Sequence, residues 1–149
     1  MKKKQKYEPI QNYGIIGNLH TVALVSLKGS IDFMSFPRFD SPTVFTKLLD
    51  ANKGGSFSIE PTHDDLNYKQ LYFPDTAILI TRIFSNEGIA ELIDFMPVNE
   101  KEEDCTIIRK VKIVRGKMQL RMKCDPRFNY AKEKPSIEKT DGGFAFSSA

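Results

Sequence analysis

Short runs in which apolar and polar residues alternate, most of them closed by a glycine-bearing turn, constrain this chain most strongly. "TVALVS" (Thr21 to Ser26) and "SIDFMS" (Ser30 to Ser35) flank Lys28-Gly29 and predict a first hairpin. "AILITRIF" (Ala77 to Phe84) and "IAELIDF" (Ile89 to Phe95) flank Ser85-Asn86-Glu87-Gly88 and predict a second. "TIIRKVKIV" (Thr106 to Val114) and "KMQLRMKC" (Lys117 to Cys124) flank Arg115-Gly116 and predict a third. In that last run Met118, Leu120, Met122 and Cys124 share one face, and Lys117, Gln119, Arg121 and Lys123 share the other. Gly54-Gly55 precedes "SFSIE", where Phe57 and Ile59 fall on a common face. A period of two throughout gives an all-β class, with an antiparallel β-sandwich as its architecture.

One segment departs from that period. Residues 42–49 read as a short helix, with Ser41 at the N-cap and Pro42 at the first helical position. Before it stands "PRFDSP" (Pro37 to Pro42), whose two prolines are too close together for a packed strand. They pin Arg38, Phe39 and Asp40 on a short projection. Two readings compete. In the first the segment is a local clasp: Asp40 caps the helix, Phe39 packs beneath it and Arg38 pairs with a carboxylate. In the second, the guanidinium and carboxylate face sugar hydroxyls or a neighbouring domain. Near the other end, "TDGGFAFSSA" starts a new strand after Asp141-Gly142-Gly143, and the chain stops a few residues later. The sandwich is therefore expected to be truncated, with open edges that invite self-association.

Composition narrows the function. With 40% hydrophobic and 28% charged residues the chain can build one core. The net charge of +3 owes much to Lys2, Lys3, Lys4 and Lys6, so residues 1–6 are expected to be a disordered basic tail and 7–149 the sandwich. No apolar stretch reaches membrane-spanning length, and the lysine-rich start lacks the apolar core of a signal peptide. A cytoplasmic location without a membrane partner follows as an expectation. Two cysteines and two histidines support neither a zinc site nor a multi-histidine centre. Phosphate-cradling glycine motifs are absent as well, so neither metal nor cofactor is expected. The stripe of Lys110, Lys112, Lys117, Arg121 and Lys123 lacks the interleaved aromatics that stack on bases, which argues against nucleic acid.

Charged residues on the strands raise a separate question. With Arg115-Gly116 as a two-residue loop, Val114 would pair with Lys117, and Arg109 would lie opposite Met122 on the apolar side. Arg82 shares a face with Ile78, Ile80 and Phe84, and Asp94 shares one with Ala90 and Leu92. Such residues facing a core are costly unless paired. Either Arg82, Asp94 and Arg109 form a semi-buried ion network, or the guanidinium groups reach water from edge positions. The same register sets Cys105 and Cys124 on a diagonal of about 7 Å, beyond the roughly 4 Å of a disulfide, so both are expected as free thiols. His20 reads as structural, and no spacing assigns a nucleophile or a catalytic carboxylate pair.

Taken in order, "YEPIQNYGIIGNLHTVALVSLKGSIDFMSFPRFDSPTVFTKLLD", "YFPDTAILITRIF", "IDFMP", "IIRKVKIVRG" and "DPRFNY" resemble the start of glycoside hydrolase family 15 proteins, the glucoamylase/trehalase-like group. The resemblance runs from Tyr7 to about Tyr130. It implies a large N-terminal β-sandwich preceding an (α/α)6-barrel, which hydrolyses terminal α-glucosidic bonds with inversion through two glutamates. Both glutamates belong to the barrel, which is absent here, so no catalytic residue carries over to this chain. The partners implied are that barrel, in the same parent chain, and an α-glucoside substrate. Two positions differ from the usual pattern: Asn18 stands where an aspartate is common, and Phe33 where tryptophan is. The rival reading is a stand-alone carbohydrate-binding module, against which the lack of any tryptophan counts.

Overall fold

The computed structural model describes residues 7–98 and 105–148, and the expected tail over residues 1–6 lies outside the described residues. The first predicted hairpin forms as β2 (Val22–Ser26) and β3 (Ser30–Ser35). Its turn needs a positive φ at Gly29 (+78°), whose N–H donates to the Ser26 carbonyl at 2.8 Å. β1 (Tyr13–Gly17) pairs with β2, and β5 (Ser56–Pro61) pairs with β3. β10 (Leu120–Asp125) completes the row on the far side of β5. This first sheet runs β1-β2-β3-β5-β10, with the short β4 (Thr43–Phe45) added against β3.

The second sheet runs in the order β6 (Asn67–Tyr72), β7 (Leu79–Phe84), β8 (Gly88–Phe95) and β9 (Ile108–Gly116), all antiparallel. The second predicted hairpin is β7 and β8. The alternating residues Ile16, Ala23, Val25, Ile31 and Met34 of the first sheet bury against Leu79 and Met96. A second cluster joins Ile59 to Ile83 and Leu92. Each fully buried aliphatic side chain contributes on the order of 1.5–3 kcal/mol, so these two clusters hold the sheets face to face. Polar clasps supplement them. The Tyr72 hydroxyl both accepts from the Ile15 N–H and donates to its carbonyl, and Gln70 Nε2 reaches the carbonyls of Val25 and Ser26. The architecture is an all-β, antiparallel sandwich. A separate hairpin, β11 (Ser136–Thr140) with β12 (Gly143–Ser147), follows it.

Two sequence expectations are corrected. Residues 42–49 are not a helix: β4 pairs Thr43 with Ser35 and Phe45 with Met34, and a compact turn follows. Thr43, Val44, Phe45 and Thr46 are β-branched or aromatic, so they lose rotamer freedom in a helix and fit a pleated sheet. In the turn, Asp50 accepts from the N–H groups of Asn52 and Lys53, which hold its carboxyl below the usual range. The one α-helical turn among the described residues is α1 (Phe128–Ala131), in which Asn129, Tyr130 and Ala131 all have left-handed φ.

The third hairpin does not exist either. β9 pairs with β8, while β10 pairs with β5 in the other sheet, so the chain changes sheets after Gly116, over residues 117–119. Gly116 (φ +66°) packs so tightly that a Cβ there would lie 2.1 Å from the Glu87 carbonyl oxygen. Val114 therefore does not pair with Lys117, and Arg109 does not face Met122. The basic stripe is divided too. Lys110 and Lys112 pair with Ile93 and Glu91 of the second sheet, whereas Arg121 and Lys123 pair with Glu60 and Ser58 of the first.

Candidate functional site

The β1–β2 connection and the loop carrying Arg38, Phe39 and Asp40 meet at one end of the sandwich. Asn18 is buried, and its Oδ1 accepts from the N–H groups of His20 (3.2 Å) and Thr21 (3.0 Å). This Asx-type turn forces Leu19, a branched residue, into φ +75°. An aspartate would accept the same two hydrogen bonds, so Asn18 fills that structural role without a charge. Thr21 Oγ1 then donates to the Ser35 carbonyl at 2.7 Å, and the Phe39 N–H donates to the His20 carbonyl at 2.9 Å. The two loops are thus fastened to each other through backbone groups.

The second loop also closes on itself. The Phe36–Pro37 peptide bond is cis. The Arg38 N–H donates to Ser41 Oγ, the Ser41 N–H donates back to the Arg38 carbonyl, and the Phe36 N–H reaches the Pro42 carbonyl. Arg38 Nε lies 3.2 Å from Asp40 Oδ1, with both side chains largely in solvent. Asp40 caps no helix and Phe39 packs beneath none, because no helix follows. Phe39 is 58% exposed and Leu19 80% exposed. Together with His20, Arg38 and Asp40 they line one shallow depression. A rigid base thus presents two apolar side chains beside a guanidinium and a carboxylate. Chemically this suits packing plus directional hydrogen bonding to another surface, and it holds no nucleophile.

The ion-pair candidates separate into two groups. Asp94 is wholly buried, and Arg109 meets it at 2.8 Å. Arg82 stands apart from that pair: it lies on the outer face of its sheet and pairs with Glu91. Cys105 and Cys124 are free thiols, but in different surroundings from those expected. Cys124 lies in the first sheet, while Cys105 packs against the cluster around Ile16 and Met96. Burial pushes both thiols upward. Sequence reasoning missed Leu19, since nothing in its identity signals a strained, exposed position. It also passed over Asp32 as one carboxylate among several. Asp32 is buried and receives hydrogen bonds from Tyr13 Oη (2.9 Å) and Ser30 Oγ (2.5 Å), with Lys47 Nζ at 3.3 Å. Among the described residues no group of three or more His, Cys, Asp and Glu side chains is arranged to hold a metal ion.

Comparison with known proteins bears on this arrangement. A family model described as trehalase-like, N-terminal matches residues 3–149. A protein named trehalase 1 from Sulfolobus acidocaldarius is 46% identical over 133 residues, covering 89% of this chain and 22% of its own length. A trehalase from Thermoplasma volcanium is 39% identical over 145 residues, covering 95% of this chain and 23% of its own. A trehalase from Mycobacterium tuberculosis is 25% identical over 144 residues. The chain thus spans between a fifth and a quarter of the length of these relatives. No solved structure matches it.

Proposed function

Because this chain belongs to the trehalase-like N-terminal family, we propose that it is the non-catalytic β-sandwich domain of a longer glycoside hydrolase, acting as scaffold and interface for a catalytic domain. In that reading sandwich residues 7–149 precede an (α/α)6-barrel. The barrel carries the acid and base carboxylates for inverting hydrolysis of a terminal α-glucosidic bond, and a cytoplasmic location suits the chain. The names of the relatives favour trehalose over maltooligosaccharides as the glucoside.

The observation that carries this reading is the paired loop end. Its base is locked by backbone hydrogen bonds, while Leu19 and Phe39 expose apolar surface around Arg38 and Asp40. A soluble domain gains nothing by holding such side chains rigidly in water, whereas an interface does. Arg38 and Asp40 then dock against the catalytic domain or touch substrate hydroxyls at its rim. The buried carboxylates Asp32, Glu91 and Asp94 are each committed to a cation within the fold, so the chain alone is expected to be inactive.

The test uses the longer enzyme. Arg38→Ala and Asp40→Ala should each lower kcat/KM for trehalose about tenfold, the cost of roughly one charged hydrogen bond, with Tm nearly unchanged. Parallel loss of stability and activity would instead make the segment a structural clasp.

The same reading covers the edge strands β9 and β10. Val111 and Ile113 share a face with buried Leu92 and Ala90, and Met122 shares one with buried Ile59, yet all three are exposed. We take this open inner surface to be covered in the longer protein, and to drive self-association when the chain is alone.

A further inference from the structure

We propose that the outer face of the first sheet carries a binding groove for a neutral disaccharide, a site separate from the loop end and independent of the domain-interface reading. Its floor is built from small residues. Ser30 of β3 pairs with Ser58 of β5, which pairs with Lys123 of β10. Ser26 Oγ accepts from the Ser30 N–H, Ser56 lies two residues along β5 from Ser58, and all four serines are buried by what rises around them. Serine is a weak strand former, and a solvated sheet face gains more from threonine or longer side chains. A run of serines leaves a trough instead.

The walls are held in place. Asp32 sits at the bottom, where it orients Tyr13 and Lys47 through the contacts given above. The turn bearing Lys47 and Ala51 folds over the sheet, fixed by the Leu48 N–H to the Asp32 carbonyl (3.0 Å) and the Ala51 N–H to Tyr7 Oη (3.5 Å). Tyr7, Tyr13 and Glu60 close the near cleft. It offers about 160 Å³, far above the roughly 10–15 Å³ that one water requires, so it admits a ring-sized ligand. A second cleft adjoins it and shares Lys47, Ala51 and Glu60, giving room for a second ring.

Charge sets the ligand class. The two clefts are lined by Glu8, Asp32, Glu60 and Asp125 against Lys28, Lys47 and Lys123. Near balance rejects a strongly anionic or cationic ligand. Each hydroxyl of a sugar is both donor and acceptor, and neighbouring ammonium and carboxylate groups supply both complements. The Tyr7 and Tyr13 rings add apolar faces for the C–H side of a pyranose. Asp32 is a positioning residue here, and Lys47, Tyr13 and Glu60 are the groups that meet the ligand.

A heteronuclear NMR titration of this chain with trehalose, maltose and inorganic phosphate tests the proposal. Saturable shifts of the Tyr13, Ser30, Lys47 and Ser58 amides are expected with at least one disaccharide, and none there with phosphate. Lys47→Ala should weaken binding about tenfold, and Tyr7→Ala, at an exposed side chain, should weaken it without touching the floor. The groove is overturned if neither disaccharide gives saturable shifts there, or if phosphate does. Equal affinity in both variants overturns it too. Shifts confined to Leu19, His20 and Arg38 to Asp40 would overturn the groove while upholding the loop end as the sugar-facing site. Groove shifts alone would leave the loop variants in the longer enzyme to decide the interface separately.

Discussion

Arg109 and Asp94 stand directly opposite each other in neighbouring strands, and their side chains meet in a two-pronged contact of 2.8 and 3.1 Å inside the sandwich. Two of the three remaining guanidinium hydrogens go to the carbonyls of Phe57 and Gly29, both at 2.6 Å, in the opposite sheet. The Phe57 ring lies 4.7 Å from the guanidinium carbon. One residue of the second sheet therefore satisfies a buried carboxylate and ties down two backbone groups of the first.

Removing one partner strands the other in a dry interior. Arg109→Ala should lower unfolding stability by about 3–5 kcal/mol, measured by urea denaturation. Replacing both partners with apolar residues, as Arg109→Met with Asp94→Leu, should recover part of that loss. Arg82→Ala should cost less than Arg109→Ala, because the Arg82 side chain is 42% exposed and water can reach the pair it makes with buried Glu91. Equal losses at Arg82 and Arg109 would contradict this assignment.

The contrast between these arginines shows where the sequence was legible. Asp94 sits among Ala90 and Leu92 on a strand with a clear buried face, so its need for a partner could be read directly. β7 is apolar on both faces: Leu79, Thr81 and Ile83 point inward, and Ile80 and Phe84 point outward beside Arg82. Alternation alone cannot say which face is the core there. The hairpin from β2 to β3 was legible because glycine sits where the turn needs positive φ. The glycine at 116 carries the same signal, yet it marks a change of sheet. Local pattern fixes neither which strand a neighbour chooses nor what the Pro37-Pro42 loop faces, since both depend on contacts distant in sequence.

Gly116 offers a direct check of that sheet change. A side chain there would need a left-handed φ and would run into the Glu87 carbonyl, which is backbone and cannot easily yield. Gly116→Ala should cost more than about 1 kcal/mol, and Gly142→Ala, with open space around its Cβ position, far less. Thermal melts of the two variants compare them within one scaffold.

Alkaline pH should expose the Asp32 cluster. Burial, together with the nearby Asp32 carboxylate, raises Tyr13 well above the ordinary tyrosine value of 10.0. The folded state then holds its proton more tightly than the unfolded state does. That contribution is complete below about pH 10 and is lost as pH rises toward the folded value. Tyr68, also raised by burial, behaves in the same sense. Tyr13→Phe should therefore flatten the fall in stability above pH 10, with Tyr68 accounting for what remains, as read from denaturation midpoints across the alkaline range.

The last prediction concerns the inner surface left open between β9 and β10. These two strands end their respective sheets, and the tight passage through Gly116 joins them. Met122 is 68% exposed although its paired neighbour Ile59 is almost fully buried. Val111 and Ile113 likewise lie beside Leu92 and Ala90, which see no solvent to speak of. Apolar side chains at the rim of an otherwise closed core attract whatever apolar surface is available, and two strand edges beside them offer unpaired backbone groups. Lys110, Lys112 and Lys123 on the outer faces oppose flat stacking, but they leave the inner rim uncharged. At high concentration the chain should therefore form dimers or larger species through this rim. Met122→Lys combined with Val111→Lys should return it to monomer in sedimentation equilibrium, with little loss of stability because both positions are already wet. Oligomers that persist unchanged in that variant would place the contact elsewhere, with the exposed Ile137 and Phe144 of the β11–β12 hairpin as the next surface to alter.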